Sequence, residues 1–92
     1  MRESKIESKV KEYAESLGFL VYKFVSPGRR GVPDKLFVSP SGVMFFIEFK
    51  QLGKKPEPCQ VREIGYLKDN NAYVFTVDNI DYGKGVIDGF VK

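Results

Sequence analysis

Residues 33–50 read PDKLFVSPSGVMFFIEFK. Two β-rich runs, Lys35–Ser39 and Val43–Lys50, flank Pro40-Ser41-Gly42. Proline suits the first turn position, and glycine suits the left-handed position that closes a three-residue hairpin loop. In that register Ser39 faces Val43, Lys35 faces Ile47 and Asp34 faces Glu48. Side chains alternate between the two faces of a strand. Phe45, Ile47 and Phe49 therefore form one apolar face, while Glu48 and Lys50 share the other with Asp34. Opposed side chains have Cβ atoms about 4.5–5.5 Å apart, so two facing carboxylates repel unless positive charge lies between them. A hard divalent cation supplies such charge, since Mg²⁺ takes one or two carboxylates together with waters and a phosphate oxygen. Lys50 is the other candidate for the compensating charge and needs no metal.

Before the hairpin, Ser4-Lys5-Ile6-Glu7 has the S-x-x-E form of a capping box. Ile6, Val10, Tyr13, Ala14 and Leu17 follow at helical spacing, and Gly18 stands where a helix ends, which predicts a helix over 5–17. Phe19–Val25 reads as a strand, and Ser26–Pro33 reads as a basic loop carrying Arg29 and Arg30. After the hairpin comes a polar loop, Gln51–Pro58, with Lys54 and Lys55. A second helix runs from Pro58 to about Asn70, with Val61, Ile64 and Leu67 on one face. Ala72–Val77 is a fourth strand. Asp78 is placed to cap a last short helix, although Gly83, Gly85 and Gly89 work against one. The order is αβββαβ, with room for a terminal helix. No repeat, low-complexity tract or linker divides the 92 residues, so one domain spanning 1–92 is expected.

Composition narrows the chemistry. A chain this short buries roughly 60–65% of its unfolded surface, so a dimer interface would add useful burial. There is no histidine and Cys59 is the sole cysteine, which excludes Ser–His and Cys–His nucleophilic sites and His- or thiolate-ligated zinc. Any metal must be held by oxygen ligands. No apolar run approaches the length of a membrane span, and residues 1–10 lack the apolar core of a signal peptide. A cytoplasmic location is expected, in keeping with the single cysteine. The net charge of +3 is compatible with nucleic acid without pointing to it. The aromatics Phe19, Phe24, Phe37, Phe45, Phe46, Phe49 and Phe75 read as core at strand spacing, and Cys59 as a small packing residue.

Pro33-Asp34 followed by Glu48-Phe49-Lys50 resembles the motif of the PD-(D/E)xK nuclease superfamily. The finer likeness is to its VRR-NUC family. That family combines a Glu in the first helix, a G-x-P/S-D step, a strand ending in hydrophobic-Glu-x-Lys, and a Gln opening the next helix. The corresponding elements are Glu7, Gly31-Val32-Pro33-Asp34, Phe46-Ile47-Glu48-Phe49-Lys50 and Gln60. The chain departs from the pattern at Pro56-Glu57-Pro58-Cys59, where the family has a Leu-Ser type of helix entry.

The resemblance implies a restriction-endonuclease-like α/β fold, a mixed central sheet flanked by helices. It also implies a phosphodiester hydrolase acting on DNA with Mg²⁺ or Mn²⁺. Asp34, Glu48 and the backbone carbonyl of Phe49 would hold the metal, and Lys50 would orient water and stabilise charge on the phosphate. Glu7 would complete the outer shell, with Glu3 a second candidate, and Gln60 would position Lys50 or the nucleophile. Glu7 as a cap and Gln60 as an ordinary first-turn residue are the plainer readings. Arg29, Arg30, Lys54 and Lys55 sit in loops at the ends of the metal-bearing strands and would grip phosphates. Stand-alone members resemble dimeric Holliday-junction resolvases, which implies a homodimer acting on four-way junctions. A monomeric flap or nick nuclease, and a non-catalytic DNA-binding module that kept the fold, are the alternatives.

Overall fold

The computed structural model describes residues 1–92. The elements are α1 (Glu3–Ser16), β1 (Leu20–Lys23), β2 (Lys35–Val38), β3 (Met44–Phe49), α2 (Pro58–Asp69), β4 (Val74–Val77) and α3 (Ile80–Asp88). One sheet has the order β1-β2-β3-β4. The first three strands are antiparallel neighbours, and β4 joins β3 in parallel. A parallel neighbour needs a crossover, and α2 provides it. The result is a mixed sheet with α1 and α3 on one face and the start of α2 on the other.

The hairpin has the register expected from its loop. Lys35 pairs with Ile47 and Val38 with Met44. The Ser39 N–H donates to the Val43 carbonyl at 2.9 Å, and Gly42 takes φ +88°, the left-handed value its position demands. Phe37, Phe45, Ile47 and Phe49 are buried together under Ile6, Val10 and Ala14 of α1 and Val86 and Ile87 of α3. Full burial of each such side chain stabilises by about 1.5–3 kcal/mol. Phe45 is the hub, stacked on Phe37 at 5.2 Å and on Phe90 at 4.3 Å.

Three local expectations are corrected. The helix starts at Glu3 with Arg2 at its N-cap, two residues too early for Ser4 to cap it, so Glu7 is not engaged in a capping box. On α2 the buried residues are Glu63 and Ile64, and Val61 is exposed. The last helix forms despite its glycines, capped by Asn79 and not Asp78: the Tyr82 N–H donates to Asn79 Oδ1 at 2.8 Å. Gly83 is what allows it. A Cβ there would collide with Val10 Cγ2, so the missing side chain lets α3 lie close on α1.

Candidate active site

At the open end of the hairpin, Asp34 stands one step beyond the Lys35–Ile47 pair and so opposite Glu48. Lys50 extends the strand on the same face, its N–H donating to the Val77 carbonyl at 2.8 Å. Glu48 is nearly buried, its side chain 7% exposed, and Lys50 Nζ lies 3.5 Å from its Oε2. Gln60, in the first turn of α2, donates from Nε2 to the same Oε2 at 2.9 Å. Its Oε1 accepts the Glu57 N–H at 2.8 Å, so the amide is held at both ends. The proline-flanked helix entry therefore presents Gln60 to the site. Asp34, Glu48, Lys50 and Gln60 are thus brought together.

Burial raises the Glu48 pKa above the ordinary glutamate value. The Lys50 ammonium and the Asp34 backbone N–H pull it back, while the Asp34 charge pushes it further up. A carboxylate in this state gains from a hard cation brought beside it.

Glu7 reaches the rim from α1 on the other side. Its Oε2 lies 3.5 Å from Lys35 Nζ, which is itself 3.9 Å from Asp34 Oδ2. Lys35 was not among the residues singled out from sequence. Three carboxylates and two ammonium groups therefore share this end of the sheet. No three His, Cys, Asp or Glu side chains converge tightly enough to hold a metal by themselves. The donor set nevertheless fits a Mg²⁺-like ion, which needs only one or two carboxylates and fills its remaining positions with water and substrate oxygens.

The glycine of the G-x-P-D step has a spatial reason. Gly31 takes φ +86°, and a Cβ there would lie 2.5 Å from the Cys59 carbonyl oxygen. The loop before Asp34 thus presses on the turn of α2 that carries Gln60. A second tie closes the same gap. Arg29 Nε and Nη2 donate to the Glu63 carboxylate at 2.8 and 3.2 Å, with the guanidinium 5.4 Å above the Tyr66 ring. These bonds hold the Glu63 carboxyl below its ordinary pKa and raise that of Arg29. Arg29, expected among the phosphate-gripping residues, is thus already engaged by Glu63. Buried Glu63 left no pattern in the sequence beyond a charge where the apolar face of α2 should run. Arg30, Lys54 and Lys55 are exposed and enter no salt bridge. Asp78 anchors the second basic loop, its Oδ2 accepting the Gly53 N–H at 3.2 Å.

No family model matches the chain. A solved structure described as a VRR_NUC domain superposes with a TM-score of 0.87 at 36% identity, covering 96% of each chain. A protein of Acyrthosiphon pisum secondary endosymbiont phage 1, named "Putative nuclease p44", is 43% identical over 81 residues, 88% of this chain and 87% of that one. The order αβββαβα, the hairpin carrying Asp34, Glu48 and Lys50, and these two likenesses agree: the chain belongs to the VRR-NUC family of the PD-(D/E)xK nuclease superfamily.

Proposed function

We propose that this protein is a Mg²⁺- or Mn²⁺-dependent DNA endonuclease selective for branched structures, acting as a homodimer on four-way junctions. The observation that carries the nuclease reading is the convergence of Asp34, Glu48, Lys50 and Gln60 in a chain of this family. Asp34 and Glu48 bind the cation, with the Phe49 carbonyl as a further oxygen donor. When bound, the cation polarises the scissile phosphate and lowers the pKa of a water molecule. Lys50 orients that water and stabilises the charge that develops on the phosphate oxygens. Gln60 keeps the Glu48 carboxylate in one orientation, and Glu7 belongs to the outer shell. Arg30, Lys54 and Lys55 contact phosphates irrespective of sequence, an interaction that weakens with salt.

The junction preference rests on the family likeness. Ninety-two residues carry no helix-turn-helix or zinc module to read bases. A two-fold dimer presents two symmetry-related sites, which suits paired cuts.

The test is cleavage of a labelled four-way junction in Mg²⁺, Mn²⁺ or EDTA, wild type beside Asp34→Asn, with flap, nicked and plain duplex DNA at equal salt. Paired cuts that need the metal and vanish in the variant are expected. Cutting of flaps or nicks alone would remove the junction assignment and keep the site. No cutting of any DNA, with binding unchanged by Asp34→Asn, would leave a DNA-binding module. Light scattering under reducing conditions is expected to give a dimer, and monomer alone would overturn that part of the reading.

A further inference from the structure

We propose that Lys35 is a positioning residue: it carries Glu7 to the Asp34–Glu48 centre and limits how tightly that centre takes a divalent cation. This rests on the nuclease reading and deepens it. Lys35 projects from β2 next to Asp34, and its ammonium stands between two carboxylates, 3.5 Å from Glu7 and 3.9 Å from Asp34. It is only 14% exposed, so its charge is poorly screened by water. Glu7 has no other hydrogen-bond or ion-pair partner from any side chain. Ile6 and Val10 flank Glu7 along α1 and are fully buried, so the helix cannot swing to bring the carboxylate closer. Packing thus fixes the Glu7 backbone, and Lys35 sets the direction of its carboxylate toward the hairpin.

Two effects of opposite sign follow. The ammonium is a positive charge beside a cation-binding carboxylate, so it opposes an incoming divalent ion. The same ammonium partly offsets the charges of Glu7 and Asp34 while the ion is absent and keeps Glu7 at the rim when it is present. Removing the charge should therefore tighten cation binding and slow turnover together. A lysine with a merely structural role gives a different pattern, in which binding, turnover and melting temperature decline in step.

The experiment uses Lys35→Met, which keeps the apolar stem, together with Lys35→Arg, Glu7→Gln and the Glu7→Gln/Lys35→Met double variant. Mn²⁺ binding to the free protein is read by titration calorimetry, and Tm is read in EDTA and in Mn²⁺. Junction cleavage gives kcat and KM at saturating Mn²⁺. Lys35→Met is expected to bind Mn²⁺ roughly 3- to 10-fold more tightly, since it removes one unit of like charge a few ångströms away. Its kcat is expected to fall about tenfold or more with KM little changed. Glu7→Gln is expected to match that kcat, the double variant to be no slower than either single one, and Lys35→Arg to recover most of the turnover.

Mn²⁺ binding that is unchanged or weaker in Lys35→Met, or kcat losses that multiply in the double variant, would overturn the inference and leave the nuclease reading intact. Should Lys35→Met lose its thermal transition, Lys35→Gln takes its place in the same titration: tighter Mn²⁺ binding supports the inference, and unchanged or weaker binding overturns it. Wild-type protein that neither binds Mn²⁺ nor cuts DNA overturns the nuclease reading, and this inference with it.

Discussion

Gln60 Nε2 donates to Glu48 Oε2 at 2.9 Å, tying the first turn of α2 to the end of β3. The same oxygen faces Lys50 Nζ at 3.5 Å, so it is held from both sides. Partners that orient a metal-binding carboxylate typically contribute 10- to 100-fold to affinity or activity. Gln60→Ala is expected to lower kcat by about that factor while leaving DNA affinity near wild type. Single-turnover cleavage beside a filter-binding or anisotropy titration would check it. An equal loss in both would mean that Gln60 acts on DNA and not on Glu48.

The raised Glu48 pKa sets a pH dependence with a definite sign. The folded protein holds this proton more tightly than the unfolded chain does. In EDTA, stability is therefore lost as pH rises from the ordinary glutamate value through the raised folded value, and it is regained on acidification. A divalent cation displaces the proton, so its affinity should climb with pH across the same window. Glu48→Gln is expected to flatten the metal-free Tm profile there and to abolish the proton release seen by calorimetry in buffers of different ionisation enthalpy.

Arg29 and Arg30 are neighbours in sequence with separable consequences. Glu63 has its pKa lowered, chiefly by its hydrogen bonds from Arg29. The stability it contributes is therefore present above the ordinary glutamate pKa and lost as pH falls through the depressed folded value. Arg29→Ala should lower Tm at neutral pH and converge with wild type in acid. Arg30→Ala should leave Tm unchanged and reduce the slope of log DNA affinity against log salt by about one unit. Paired melting and binding series on the two variants would separate the roles.

Gly31→Ala places a methyl group 2.5 Å from the Cys59 carbonyl oxygen and forces a side chain into the φ +86° region. The expected cost is about 2 kcal/mol or more, because neither backbone can yield cheaply. Activity should fall further than stability, since the displaced turn is the one that holds Gln60. Denaturant unfolding beside cleavage assays would show it. A variant with wild-type turnover would mean that the loop adjusts without moving α2.

The hairpin was legible because its turn chemistry specifies its register. Pro40 and Gly42 admit one loop, the loop pairs Lys35 with Ile47, and that places Asp34 across from Glu48. Gln60 was legible only through the family pattern, since no local rule links a first-turn glutamine to a strand 12 residues earlier. The partnership of Arg29 with Glu63 spans 34 residues and depends on how the loop folds back over α2, which no periodicity records. Ser4 and Glu7 have the spacing of a capping box, but the helix begins two residues earlier and the partner of Glu7 is Lys35. Gly83 reads as a helix breaker because its value lies in the close approach of Val10, a contact that exists only in the assembled fold.

The residues at this centre come from four separate segments, from Glu7 in the first helix to Gln60 in the second, with β4 and α3 still to follow in the chain. Nothing shorter than the finished fold assembles them. A chain that stops before α2 carries the motif but lacks the Gln60 amide that holds Glu48. The motif is thus a property of the sequence, whereas the centre is a property of the assembled fold, and the two can be separated by truncation.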